Sequence, residues 1–278
     1  MNRRQLGALH GTLLLFGGPY SNLQATQALR DHARLLNIPA KNIICTGDIV
    51  AYCAQPNETI ELLQDWGINI VMGNCEESLA WNAEDCGCGF EAGSTCEALS
   101  DSWFRFASQA VTQSHKQWMR ALPRSIKFTY QGKQFAVIHG GVEQINQFVF
   151  ASTDINKKLA QITAAEVDGV VAGHSGLPFS QQISDKLWHN PGVIGMPAND
   201  GTAHGWYSVW HPEQNKIRIE HCALNYNAEL AQDYMYKANL ENGYADALTS
   251  GLWPSMDILP VEERAQQDIP INGSVVVF

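Results

Sequence analysis

Ile43-Ile44-Cys45-Thr46-Gly47-Asp48 is an apolar run that stops on a glycine and a carboxylate. The same kind of ending recurs in Ile70-Val71-Met72-Gly73-Asn74, in Phe135-Ala136-Val137-Ile138-His139-Gly140-Gly141 and in Val170-Val171-Ala172-Gly173-His174. Short β-branched runs bounded by glycine read as strands. In open α/β sheets, sites are built at the carboxyl ends of the strands. Glycine lets the backbone turn sharply there and leaves room for an ion. One Asp, one Asn and two His give mixed oxygen and nitrogen donors, which suits Zn, Mn or Fe. A lone Asp or Asn after a strand is ordinarily a turn residue or a helix cap. Four such endings in one chain outweigh that reading. Asp48, Asn74, His139 and His174 are therefore the candidate metal ligands.

Outward from this run, strands at 12–16, 42–45 and 68–72 alternate with helices at 22–36 and 56–66, the second opening on Pro56. This β-α-β-α-β opening favours a mainly parallel sheet. A Gly- and Cys-rich insertion loop follows at 84–96, then helical sequence at 99–122. Strands at 126–130 and 134–138 flank Gln131-Gly132 and suit a hairpin. More strands are expected near 167–172, 182–188, 205–211 and 216–223. A helical C-terminal extension from about 226, with helices near 226–238 and 242–250, precedes an irregular tail. The pattern predicts a single domain over 1–278, α/β in class, with two packed sheets and flanking helices.

At 278 residues the chain can bury a sizeable core, and 45% hydrophobic against 17% charged residues is globular composition. A net charge of -10 argues against a nucleic-acid sheath or a polybasic membrane anchor. It also means that a phosphate substrate needs a bound cation to draw it in. No run approaches the roughly 20 apolar residues that span a bilayer. The run at 13–16 is too short for a signal peptide's central region. Seven cysteines leave at least one unpaired in any disulfide scheme. A reduced, cytoplasmic protein is expected.

The ordered motifs resemble those of the calcineurin-like metallophosphoesterases: Asp-x-His, Gly-Asp, Gly-Asn-His-Asp/Glu, a lone His after a strand, and Gly-His-x-His. The likeness is greatest to a small prokaryotic branch described as diadenosine tetraphosphatase- or cyclic-diester phosphodiesterase-like. Gly47-Asp48-Ile49-Val50-Ala51-Tyr52 with Pro56-Asn57-Glu58 is similar to the second motif of that branch. Asn190-Pro191-Gly192-Val193-Ile194-Gly195 with Asp200-Gly201 is similar to its Asn-Pro-Gly-Ser-Val-Gly segment. The resemblance runs from about residue 12 to 211. It implies a four-layer α/β sandwich, two central mixed β-sheets flanked by helices. It also implies one or two metal ions that activate water for attack on phosphorus. Carried over, Asp48 bridges the metals, and Asn74, His139 and His174 complete one site. Asn22, Asn190 and His204, which follows Asp200-Gly201, are candidate substrate contacts.

The other metal site departs from the pattern. In Phe16-Gly17-Gly18-Pro19-Tyr20-Ser21-Asn22, Gly18 stands where the family has Asp and Tyr20 where it has His. In His174-Ser175-Gly176, Gly176 replaces the last His. Cys75 replaces the His of Gly-Asn-His and is, with Asp48, a candidate catalytic residue. Tyr20 either ligates as a phenolate, which suits Fe(III), or is a packing residue beside an empty site. Cys86, Cys88 and Cys96 are further candidate ligands, because thiolates bind zinc and iron tightly. Their Cys-x-Cys-x7-Cys spacing is not a zinc-ribbon spacing, and buried free thiols are the other reading. The expected function is metal-dependent hydrolysis of a small phosphodiester, nucleotide or dinucleoside polyphosphate. The alternative is a catalytically silent protein that binds one metal and a phosphorylated ligand.

Overall fold

Alternation along the strands decides the layering. The computed structural model describes residues 2–91, 93–240 and 243–278. Ala92, in the loop predicted at 84–96, and Asn242, first in the helix predicted at 242–250, lie outside the described residues. Strand β1 (Arg3–Ala8) comes first, then β2 (Leu13–Phe16), α1 (Leu23–Leu35), β3 (Ile43–Cys45), α2 (Pro56–Trp66) and β4 (Asn69–Ile70). Leu13, Leu14, Leu15 and Phe16 are all buried, so β2 has no solvent face. Side chains alternate across a strand, and the two faces of β2 enter different cores. Leu13 and Leu15 point into the space between two sheets, whereas Leu14 and Phe16 pack with Leu29 of α1 and Ile60 and Leu63 of α2. Each such side chain contributes roughly 1.5–3 kcal/mol when fully buried.

Capping chemistry bounds these helices. Asn22 accepts from the Ala25 amide at 3.0 Å to start α1. Pro56 opens α2, and Gly67 closes it in the left-handed region. The chain continues through α3 (Asn74–Trp81), α4 (Thr95–Ala110), α5 (Gln113–Ala121), β5 (Ser125–Tyr130) and β6 (Lys133–Val137). The single helical stretch expected at 99–122 is two helices. Val111 is extended, and Thr112 caps α5 by accepting from the His115 amide.

Next come α6 (Ile155–Ala165), β7 (Gly169–Val171), β8 (Phe179–Ile183) and β9 (Lys186–Asn190). The strand expected at 182–188 is instead this β8–β9 hairpin, turning at Ser184-Asp185, with Ile183 opposite Lys186. Then β10 (Gly205–Glu213), β11 (Lys216–Leu224), α7 (Ala228–Lys237), α8 (Tyr244–Ser250), α9 (Val261–Arg264) and β12 (Val275–Val277) end the chain. One six-stranded sheet has the order β1-β5-β6-β7-β9-β8, and the other β12-β11-β10-β2-β3-β4. Both mix parallel and antiparallel pairs. Their facing sides share Leu13, Leu15, Ile44, Ile126, Phe135 and Trp210. The far side of β6, β7 and β9 packs on Ile162 and Ala165 of α6. The result is the four-layer α/β sandwich. Among the described residues, no helix is long and apolar enough to cross a membrane.

Candidate metal centre

Asp48 and Asn74 lie just past β3 and β4 of one sheet, and His139 and His174 just past β6 and β7 of the other. All four are buried. They meet at one end of the sandwich, where the two sheets open. Nε2 of His139 is the hub. It lies 3.2 Å from Oδ2 of Asp48, 3.0 Å from Oδ1 of Asn74 and 3.1 Å from Nδ1 of His174. One ligand atom each from Asp48, His139 and His174 lie within 4.8 Å of one another.

Backbone partners determine what these atoms present. Nδ1 of His139 is 2.7 Å from the Thr46 carbonyl, which only accepts, so that nitrogen carries a proton. Nδ2 of Asn74 donates to the Cys86 carbonyl at 3.0 Å, which turns Oδ1 toward the hub. Burial, and then the neighbouring His139, bring His174 down to about 3, so it is neutral and offers a lone pair. Burial pushes the Asp48 carboxyl up, but His139 outweighs it and the carboxyl lies below its ordinary range. Burial pulls His139 down, yet Asp48 and the Thr46 carbonyl raise it overall. A proton on Nε2 serves only one of its three acceptor neighbours. A cation serves all of them, and the donor set of one carboxylate, one amide oxygen and two imidazoles fits a divalent transition metal.

Glu76 was not singled out in the sequence, and it shapes the site most. Its fully buried carboxylate accepts from the amides of Asp48 at 2.8 Å, Ile49 at 2.7 Å, Val50 at 3.2 Å and Gly73 at 2.9 Å. This clamps the turn that carries Asp48, whose φ is +55°. Burial, and then Asp48, push Glu76 up to about 7. Its signal was the acidic last position of the Gly-Asn-His-Asp/Glu motif. Gly73 is required here because a Cβ would strike the Asp48 carboxylate and approach its amide to 2.5 Å. Asn190 acts as a brace. It donates to the Gly173 carbonyl at 3.1 Å and to Ser175 Oγ at 2.9 Å, on either side of His174.

The remaining candidates fall elsewhere. Asn22 uses its amide on Ala25 and on the Gly195 carbonyl at 3.1 Å, so it shapes the turn after β2. His204 is half-buried and does not line the cleft that opens at Asp48 and His174. Cys75 is buried beside Asp48, its amide 3.3 Å from Oδ1. Burial and then the Asp48 charge keep its thiol protonated. Cys96 lines the cleft at the start of α4. Cys86 and Cys88 are bonded to each other as a disulfide, so neither offers the thiolate expected of it. Cys88 Sγ lies 3.5 Å from the Asn74 amide nitrogen.

Where the motif places the other metal, the environment is aromatic. Tyr20 is buried, and burial followed by the Asp48 charge raise its phenol well above the ordinary range. Its ring meets that of Tyr52 edge to face at 4.8 Å between centroids, which fits the packing reading. Gly18 has φ +41°, and a Cβ there would lie 2.5 Å from Cζ of Tyr20 and 2.7 Å from Cγ1 of Val193. Trp253 lies over Gly176, 3.7 Å from where its Cβ would be.

A second buried histidine pair, His189 and His221, lies between the sheets. Ser180 Oγ is 2.8 Å from Nδ1 of His189 and 2.9 Å from Nε2 of His221, and Nε2 of His189 is 2.8 Å from Ser208 Oγ.

Comparison with known proteins agrees with this architecture. An uncharacterized protein of Methanocaldococcus jannaschii is 23% identical over 247 residues, covering 84% of this chain and 95% of its own. A crystal structure of a metallophosphoesterase from Sphaerobacter thermophilus matches with a TM-score of 0.68 at 18% identity, over 88% of this chain and 100% of that one. A hypothetical protein from Pyrococcus horikoshii OT3 matches at 0.71 and 15% identity, over 86% and 98%. The model of the calcineurin-like phosphoesterase superfamily domain matches residues 9–211, a span that contains both sheets' ligand-bearing strand ends. With that span and this fold, the chain belongs to the calcineurin-like phosphoesterase superfamily.

Proposed function

We propose that this chain is a metal-dependent phosphoesterase that hydrolyses a small phosphodiester, nucleotide or dinucleoside polyphosphate. The observation that carries the reading is the convergence of Asp48 Oδ2, Asn74 Oδ1 and His174 Nδ1 on Nε2 of His139. These four side chains would hold one ion of Zn, Mn or Fe. When bound, such an ion polarises a phosphoryl oxygen and makes water acidic enough to serve as a nucleophile near neutral pH. The chain does the rest. Thr46 and Cys86 orient the imidazole and the amide through their carbonyls. Glu76 holds the Asp48 turn, and Asn190 holds the loop of His174. A bound cation would also supply a local positive field for a phosphate, which the chain's net charge of -10 otherwise repels.

The test is turnover of an aryl phosphodiester and an aryl phosphomonoester by protein loaded with Mn, Zn or Fe(II). Turnover is expected to stop on chelation and return with metal. Asp48→Asn, which removes the one carboxylate among the four candidate ligands, is expected to lower it by about 10²–10³, the usual cost of one electrostatic stabiliser. A second reading, metal and phosphate binding without turnover, is favoured by the buried Tyr20 ring against Gly18. It prevails if the loaded protein binds inorganic phosphate and hydrolyses no phosphoester.

A further inference from the structure

The neighbourhood of Gly18, Tyr20 and Gly176 does not fit a second ion. An aspartate at 18 collides with the Tyr20 ring, and Gly18 and Gly176 have φ of +41° and +75°, where larger side chains are strained. The aromatic packing there is extensive. Tyr20 meets Tyr52 edge to face at 4.8 Å between centroids, and Tyr52 in turn meets Tyr244 at 4.4 Å. On the opposite side, Phe148 lies 4.3 Å from the His174 ring and is stacked with Phe90 at 6.5 Å. Trp253 is pinned at the Gly176 position, its indole N–H donating to the Pro197 carbonyl at 2.7 Å and its backbone amide to Oδ1 of Asn199 at 2.8 Å. These six rings line one cleft, and Asp48 and His174 line the same cleft.

We propose that the chain holds one ion, and that the place of the second is a receptor for a planar aromatic group carried by the phosphorylated substrate. The inference rests on the phosphoesterase reading for the position of the phosphate and adds the class of the esterified group. Rings set at these spacings favour offset and edge-to-face contacts with a further ring. Trp253 is already oriented by its own hydrogen bonds, so little ordering is required when a ligand enters. The receptor adjoins the ligand set, so a phosphate at the metal places an aryl or heteroaryl substituent directly against the rings. An aliphatic phosphoester gains only apolar burial there and lacks the ring-on-ring contacts.

Binding of two phosphonates that cannot be hydrolysed separates these ideas. Calorimetry on the metal-loaded protein should show phenylphosphonate binding at least about tenfold tighter than methylphosphonate, with one ion per chain by elemental analysis; tenfold corresponds to about 1.4 kcal/mol. Trp253→Ala should remove most of that preference, and Trp253→Phe should retain it. Phe148→Leu, on the other wall, gives a second measure if Trp253→Ala folds poorly. Equal binding of the two phosphonates by wild type overturns the receptor and leaves the phosphoesterase reading intact. Two ions per chain also overturns it. Failure of both phosphonates to bind overturns both. A clear aromatic preference without turnover of any aryl phosphoester supports the receptor and removes hydrolysis alone.

Discussion

Two histidine pairs in this molecule have the same spacing and opposite chemistry. His139 and His174 have ring centroids 5.0 Å apart, as do His189 and His221. Both pairs are buried. Around His189 and His221 the partners are the hydroxyls of Ser180 and Ser208, which donate as readily as they accept, so three of the four ring nitrogens are satisfied without an ion, and only Nδ1 of His221 is left without a partner. Around His139 and His174 the partners are a carboxylate, an amide oxygen turned inward, and each other's nitrogens. Histidine spacing alone therefore does not mark a metal site. What marks it is a surplus of acceptors whose orientation the backbone has already fixed.

The sharpest way to break this contrast is metal content. His139→Ala should lower metal affinity by more than about 100-fold, because loss of an orienting partner alone commonly costs 10–100-fold. His221→Gln should leave the content per chain unchanged, by elemental analysis after dialysis. Equal loss in both variants would refute the distinction. A second test bears on what orients the acceptors. Glu76→Gln leaves backbone N–H groups of the Asp48 turn facing an amide nitrogen, and each buried donor left unpaired costs about 1–3 kcal/mol. A loss of roughly 3–4 kcal/mol in urea unfolding is expected, with metal affinity falling alongside. Unchanged stability would remove the clamp from the account.

A third, somewhat smaller effect concerns the serine-bound pair. Burial lowers His221 to about 4, below its ordinary 6.5. The folded state then favours the neutral ring. Its contribution to stability is complete above pH 6.5 and is lost as pH falls from there toward 4. The span of the shift corresponds to about 3 kcal/mol. The fall in urea midpoint over that window should be visibly shallower in His221→Gln than in wild type. Equal slopes would show that other groups set the acid response. The smallest effect is expected at the disulfide. Reducing Cys86–Cys88 with a dithiol loosens the carbonyl that turns Asn74, so metal affinity should fall by about tenfold or less. A rise on reduction would instead mean that the freed thiols join the ligand set.

The strand ends that carry Asp48, Asn74, His139 and His174 were legible because each apolar run stops on glycine and a donor, a pattern that is local in sequence. The β-α-β-α-β opening was legible for the same reason. Strand β1 was not: its residues are exposed or half-buried with no apolar alternation, and only parallel pairing with β5 makes it a strand. The break between α4 and α5 was missed because apolar residues continue through it, and only the Thr112 cap marks it. The aromatic cleft was illegible because Tyr20, Phe148 and Trp253 meet only in three dimensions. The bond between Cys86 and Cys88 lay against the expectation of free thiols, which came from an odd cysteine count and an assumed compartment.

The division of the ligands between the sheets has a kinetic consequence. Strand β2 pairs parallel with β3 across the α1 crossover, and it also pairs antiparallel with β10, much further along the chain, with Leu13 opposite Trp210. His139 and His174 belong to the other sheet. Neither sheet alone carries the full donor set, and their shared core includes side chains from both ends of the sequence, such as Leu13 and Phe278. Loop closure over such separations is slow compared with local helix and hairpin formation. During refolding from urea, an ion added at the start should therefore stay free through the early collapse. Its capture should coincide with the last phase, when the sheets dock, making uptake of the ion a clock for the completion of the core.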